Sequence, residues 1–457
     1  MISAFICVLI SNLFVAALKL ISGFGFPYLM TETAYAEYHT FTLYLSYITI
    51  LTLGFSTGMF VKYAGKTYDS MDRGRYKSEV RLLGGILLFF TLIFTILCLI
   101  IKDKMLVYIT IAILPYCWVT SYQSLYQSWG EFKRYSRTNV LLPTIPIIGS
   151  VLLFFATKKL TADYYILLFL GVYIAYTAFI LWRARKTTVG VSSAPYWDAE
   201  NKDTLKIGFL ICIGNYINVL FHSVGKQVVK LMFDTTTFAH YSFGLSLQTI
   251  LMVFITSAAS PMLNFLASGE IAKGQYRDVK RLLFMLGACS GMAYYACEIA
   301  VSKLLPNYVS SLRVIAIYFI AFPAIAIINC LYVNLYKITK QTRRYIAILI
   351  SVLLTSVVLN VVLVWIWTDV TAVAVATAIV YYLWLLIDML YFKSIQPEWK
   401  DALFLAAYLL LYILCMVFFS GLIGFAIYFV LFVAICFAVY PDTIRNYMRM
   451  ILKKIKH

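Results

Sequence analysis

The sequence predicts an all-α polytopic membrane protein of about fourteen transmembrane helices, arranged as two parallel six-helix bundles with pseudo-two-fold symmetry plus two extra C-terminal helices. Three observations predict it: an apolar composition spread along the whole chain, regular punctuation by short basic loops, and an internal repeat at an offset near 200 residues.

Of the 457 residues, 62% are hydrophobic and 13% charged. Soluble domains carry about 45–50% apolar and about 25% charged residues. So few charges cannot cover this much apolar surface, so lipid must. The N-terminus enters an apolar span with no basic n-region and no small-residue cleavage site, which predicts a retained first helix. A formal charge of +18 raises nucleic acid as a partner. The scatter of Lys and Arg through short loops argues against it and leaves membrane lipids as the surroundings. The nine cysteines lie inside apolar spans with no CxxC pair, which predicts buried structural thiols and no metal site.

A helix crossing the hydrocarbon core needs about 20 residues. Apolar runs of that length lie near 2–24, 39–61, 82–101, 105–129, 138–157, 162–182, 205–231, 239–266, 282–303, 310–336, 344–367, 370–392, 401–419 and 421–440. Only Lys102, Asp103 and Lys104 part the third from the fourth, and only Ser420–Gly421 parts the last two. With the N-terminus inside, 29 of the 38 Lys and Arg fall on the cytoplasmic face and 6 on the other. The positive-inside rule therefore places both termini in the cytoplasm.

The repeat keeps its order with small gaps. Tyr35-Ala36-Glu37-Tyr38 matches Phe238-Ala239-His240-Tyr241, and Asn12 matches Asn215, at offset 203. Gly74-Arg75-Tyr76 matches Gly274-Gln275-Tyr276, and Arg81-Leu82-Leu83 matches Arg281-Leu282-Leu283, at offset 200. Lys133-Arg134-Tyr135 matches Arg343-Arg344-Tyr345 at 210, and Pro115 corresponds roughly to Pro323. Spans 1–6 and 7–12 are thus two copies of one unit. Six is even, so the copies are parallel, a common transporter plan. The expected organisation is a bundle at 1–182, a cytoplasmic linker at 183–204, a second bundle at 205–392, and two extra helices with a basic tail at 393–457, outside the repeat.

The duplicated loops "GRYKSEVRLL" and "GQYRDVKRLL", with the second span "LGFSTGMF", resemble the polysaccharide-exporter branch of the multidrug/oligosaccharidyl-lipid/polysaccharide (MOP) flippase superfamily, which includes Wzx-type O-antigen and capsule-repeat flippases. The resemblance covers all twelve repeat spans. It implies a bacterial inner-membrane protein that flips a polyprenyl-diphosphate-linked oligosaccharide by alternating access. It also implies a monomer, a polysaccharide polymerase as a partner in the pathway, no cofactor, and coupling to H+ or Na+.

Intramembrane charge supports an anionic substrate independently. A Lys at mid-span costs roughly 2.5–3.5 kcal/mol to insert, and Lys19, Lys226 and Lys230 sit inside spans. Asn218, His222, Lys226 and Lys230 recur every four residues and share one helix face. Asn12 and Lys19 share a face of the equivalent span, and Lys19 aligns with His222. Together with Asn215 these are the expected substrate-binding residues, set against snorkelling of Lys19 and Lys230 to headgroups. Glu298 is expected to pair with a cavity Lys or carry a coupling proton. Asp388, the second coupling-ion candidate, is expected to reach out to the cytoplasm.

Gly54-x-x-x-Gly58 predicts close helix packing. Pro115, Pro143, Pro146, Pro261 and Pro323 predict helix interruptions. The 36 tyrosines are expected mainly in interfacial belts. "AGKT" at 64–67 lacks the P-loop's first glycine, since position 60 is Phe, which excludes ATP binding. Three alternatives stand beside the oligosaccharide flippase. A lipid-II-type flippase is its nearest neighbour. A cation-coupled multidrug exporter needs core carboxylates that spans 1 and 7 lack. A membrane polymerase or ligase needs a sizeable outer loop.

Overall fold

A computed structural model of the chain describes residues 2–267, 273–392, 395 and 398–446. Much of the basic tail, Lys393 and part of the expected loop at 267–281 lie outside the described residues. The chain divides into two compact units, Met1–Ser223 and Val224–His457.

The first unit contains α1 (Ile2–Leu29), α2 (Glu32–Tyr47), a 3-10 turn (Ile48–Thr52), α3 (Phe55–Tyr63), α4 (Arg73–Ile101), α5 (Lys104–Ser128), α6 (Phe132–Thr157) and α7 (Ala162–Thr187). It also contains most of α8 (Ala199–Met232). The second unit contains α9 (Thr235–Ala267), α10 (Lys273–Ala288), α11 (Ser290–Leu304), α12 (Ser311–Ile320), α13 (Phe322–Ile327), a π turn (Ile328–Tyr332), α14 (Val333–Ile338), α15 (Thr342–Ile366), α16 (Thr371–Tyr391), α17 (Trp399–Phe418) and α18 (Gly421–Val439).

Each expected span meets helix. Among the described residues, eleven helical stretches are long and apolar enough to cross a membrane singly, and two bent helix pairs would bring the number to thirteen if each is one span. The 33-residue α9 occupies the expected eighth span. The separators behave as charge and polarity dictate. Asp103 caps α5 by accepting the Leu106 N–H at 2.8 Å, and Lys102 closes α4 in the left-handed region. Asp72 caps α4 through Gly74 and Arg75.

The second span bends by 65° between the 3-10 turn and α3, and the tenth bends by 50° between α12 and α13. Leu53 and Gly54 make the first bend, with φ of 50° and 75°, a conformation that favours glycine. Pro323 lies in the first turn of α13, just past the second bend. The expected proline interruptions are otherwise not realised at Pro115, which lies within α5, or at Pro143 and Pro146, within α6. A membrane helix can carry a proline where its surroundings serve the backbone it frees; the Thr177 hydroxyl of α7 also ties this stretch of α5 to its neighbour by donating to the Pro115 carbonyl at 3.2 Å.

A glycine on another helix meets each bend. Gly208 of α8 lies against the backbone of Gly54 and Gly58, so the expected close packing at Gly54-x-x-x-Gly58 is present. In the second unit a Cβ at Gly287 would fall 2.7 Å from the Phe322 carbonyl oxygen.

A bent helix in lipid frees carbonyls that water cannot serve. Tyrosines serve them in the second unit. Tyr382, Tyr408 and Tyr412 donate to Ile320, Phe319 and Ala316 carbonyls at 2.7, 3.1 and 3.0 Å, and Ser290 also donates to Phe319. The interfacial-belt expectation for tyrosine therefore needs correction. Tyr35, Tyr241, Tyr295, Tyr332, Tyr381, Tyr408, Tyr412 and Tyr428 are among the largest fully buried side chains.

Candidate functional site

The first unit carries an open pocket of about 200 Å³ between the bent second span, α5 and α8. The second span contributes Thr49, Thr52, Ser56 and Thr57, and α5 contributes Thr120 and Ser124. From α8 come Cys212, Asn215, Tyr216 and Val219. The bend makes room here, because the 3-10 turn and α3 present their hydroxyls from two directions.

Among the described residues, none that lines this cavity is charged. Thr49, Thr52, Thr120 and Ser124 spend their hydroxyl protons on backbone carbonyls three or four residues back. Their oxygen lone pairs remain as acceptors. Asn215 is exposed and its amide is unpaired among the described residues, so it offers donors and an acceptor. Tyr216 adds an aromatic face. Neutral acceptors, an amide and a ring suit a hydroxylated, uncharged ligand. The volume is below the roughly 300–1,000 Å³ of pockets for drug-sized ligands, so a single sugar ring is the fitting size.

Of the residues named from sequence, only Asn215 lines this cavity. Asn12 is exposed on α1 and accepts a 3.0 Å hydrogen bond from Asn139 of α6. Lys19 is also exposed on α1, with no ion pair among the described residues. Asn218 is half-buried on α8, and His222 is exposed with its ring 5.4 Å from that of Phe221. In the second unit Lys226 and Lys230 are half-buried, and the Lys226 ammonium lies over the Phe238 ring at 5.9 Å. The four-residue spacing on α8 puts Asn218, His222, Lys226 and Lys230 along one helix face, as the sequence predicts.

Both intramembrane acids are held within the second unit. Glu298 of α11 accepts the Gly421 N–H at 3.0 Å, at the start of α18. Asp388 does not reach out to the cytoplasm as expected. It is fully buried and accepts from the Tyr336 hydroxyl at 2.7 Å. It sits near the end of α16, but α14 packs its tyrosine over that face and closes it to solvent. Among the described residues no three His, Cys, Asp or Glu cluster as metal ligands.

The hydroxyl residues of the cavity were missed from sequence. Their signal was the density of Ser and Thr at 49, 52, 56 and 57, within a span that otherwise reads as apolar.

Apolar spans and two helical units define a multi-pass membrane protein. No family model matches the sequence, and no curated protein matches it. Among solved structures, the fold is similar to "Lipid II flippase MurJ, inward closed conformation", with a TM-score of 0.70 at 15% identity, covering 97% of this chain and 100% of that one. "Crystal structure of MATE in complex with Br-NRF" gives 0.46 at 14% identity over 88% of this chain and 94% of that one. "MATE transporter ClbM in complex with Rb+" gives 0.32 at 14% over 87% and 92%. At those two scores the overlay carries no argument. The chain therefore has the fold of a lipid II flippase structure along nearly its whole length.

Proposed function

We propose that the protein is a flippase that carries a polyprenyl-diphosphate-linked oligosaccharide from the cytoplasmic to the outer leaflet of a bacterial inner membrane, for surface polysaccharide synthesis. The observation that carries this is the fold shared with a lipid II flippase over 97% of the chain. The uncharged, hydroxyl-lined cavity suits a sugar. Lys19 in the first unit and, in the second, Lys226 and Lys230, which share a face of α8, each offer a cation of the kind a diphosphate needs, and the prenyl tail stays in lipid. Asp388, buried in a membrane span, is the group we assign to H+ or Na+ coupling. Lipid II itself is the second reading, favoured by the same likeness to a lipid II flippase.

Transfer of a fluorescent polyprenyl-diphosphate saccharide between leaflets of proteoliposomes tests this. A charge-assisted hydrogen bond contributes about 1.5–3 kcal/mol, so Lys19→Ala and Lys226→Ala should each slow transfer about tenfold or more, with Lys226→Arg retaining part. Asn215→Leu should weaken saccharide-bearing substrate and spare bare polyprenyl diphosphate. Asp388→Asn should abolish dependence on the ion gradient. Full transfer by both Lys→Ala variants would remove the cationic site. Faster transfer of lipid II than of a capsule-type repeat would select the second reading.

A further inference from the structure

Outside the cavity just described, the first unit carries a second opening of about 330 Å³ between the loop-proximal ends of α4 and α7. Lys77, Arg81 and Arg185 line it with Tyr76, Leu181 and Thr188, and none of its lining residues is acidic. From its geometry and charge we propose that this groove is a binding site for the headgroup of an anionic phospholipid.

Several nearby cations are already neutralised. Lys62 pairs with Glu79 and with Glu200, Arg75 with Asp198 and Glu200, and Arg134 with Glu131. Arg81 and Arg185 are exposed, and among the described residues neither guanidinium has an ion-pair or hydrogen-bond partner. Two unpaired forks facing one groove match the oxygens of a phosphodiester. Lys77 closes the inner wall. Its ammonium donates to the Thr188 and Val191 carbonyls at 3.3 and 2.9 Å, which fixes it beside the opening with donor capacity to spare.

Position selects a lipid over a free anion. The groove lies on the Lys- and Arg-rich face, which the positive-inside rule assigns to the cytoplasm, where anionic lipids attract basic segments. Trp182, Tyr196 and Trp197 are exposed beside it at 61%, 49% and 54%, a pattern of headgroup-level aromatics. Further along α4, Leu88, Phe89, Leu92 and Ile96 present an exposed apolar track on which acyl chains can lie.

The full chain in nanodiscs of phosphatidylcholine with graded phosphatidylglycerol, released for native mass spectrometry, reads the number and kind of retained lipids. The wild-type protein should retain phosphatidylglycerol in preference to phosphatidylcholine. Arg81→Gln/Arg185→Gln should weaken that retention about thirtyfold, given the energy per basic residue near an anionic surface. Lys158→Gln/Lys159→Gln, on the opposite face, should change nothing. If the double variant yields poorly, Arg185→Gln alone should show about a fivefold loss. Equal retention of the two lipids by the wild type, or unchanged retention by the arginine variants, would overturn the site. Loss of added polyprenyl diphosphate with phosphatidylglycerol unaffected would overturn it too, by assigning the groove to the transported lipid.

Discussion

The two units break different spans of what the sequence repeats as one pattern. The first bends its second span at Leu53–Gly54 and keeps its fourth, α5, continuous. The second keeps its second span, α9, continuous and bends its fourth near Ala321. One contact survives in both. The Cys117 thiol of α5 donates to the Ile48 carbonyl at 3.3 Å, and the Cys330 thiol to Ile255 of α9 at 3.4 Å. The pairing of the second with the fourth span is therefore kept, while the site of bending is free to change. The helix that follows each six-span copy braces the bend in each case. In the first unit α8 presses Gly208 on Gly54. In the second, α17 sends Tyr408 and Tyr412 to the carbonyls of α12.

These two bracing helices also start in the same way. Asp198 and Glu200 at the start of α8 pair with Arg75 at the start of α4. Glu398 and Asp401 at the start of α17 hold Arg277, Lys280 and Arg281 of α10. Asp198 and Glu398 are 200 residues apart, the offset of the basic motifs themselves. The sequence places the last two helices outside the repeat, yet α17 serves the second unit as α8 serves the first.

Burial separates the two networks and ranks the consequences. Lys280 and Asp401 pair at 2.6 Å with each side chain 1% exposed. Removing one partner of such a pair leaves a buried charge, at a cost of about 3–5 kcal/mol. Lys280→Met should therefore lower the thermal midpoint in detergent sharply, with part of the loss recovered by Lys280→Met/Asp401→Asn, which removes the unpaired charge and keeps an acceptor for the Tyr440 hydroxyl and the Glu398 N–H. Lys62→Met in the first unit should cost less, because Lys62 is 17% exposed against 1% for Lys280, so water already screens its pair with Glu79. Equal losses from the two single variants would break the comparison.

The tyrosine brace ranks next. Tyr412→Phe removes the 3.0 Å hydrogen bond to the Ala316 carbonyl, a loss of about 0.5–1.5 kcal/mol. Tyr408→Phe should cost less, because Ser290 still donates to the Phe319 carbonyl at 2.9 Å. Hydrogen exchange along α12, compared between the two variants, checks that order. The same fall in protection for both would mean that the carbonyls do not depend on α17.

Span positions were legible in the sequence because they follow from composition, with charges such as Lys102, Asp103 and Lys104 marking the ends; among the described residues eleven to thirteen spans meet the length and polarity a crossing needs, against the fourteen expected. The bend at Leu53–Gly54 was not, because nothing local compels it. Gly54 signals close packing, and only the approach of Gly208 makes the left-handed backbone worth its cost. Pro115 and Pro323 look alike in sequence, yet one sits in a continuous helix and the other beside a bend, since neighbouring helices decide how freed carbonyls are served. Asn215 was found as an intramembrane amide. Ser56, Thr57 and Thr120 were passed over, because hydroxyls in membrane helices usually bond their own backbone. Asp388 was misplaced because position along a span says nothing about the Tyr336 that covers it.

The smallest expected effect lies at Asp198, the half-buried counterpart of the fully buried Asp401. A hydrogen bond from the Arg75 guanidinium, reinforced by the Asn201 N–H, holds its carboxyl below the usual range. A depressed folded value stabilises the charged state. The contribution is fully present above the unfolded carboxyl value of about 3.9 and disappears as pH falls through the lower folded value. The difference in thermal midpoint between wild type and Asp198→Asn should therefore be constant from neutral pH down to about pH 5 and shrink in stronger acid. Water and salt reach this pair, so about 1 M salt should erase most of the difference at neutral pH, while the loss from Lys280→Met, shielded by burial, should persist. A salt-insensitive Asp198→Asn effect would mean that α8 is anchored at its start as firmly as α17, and that exposure does not distinguish the two networks.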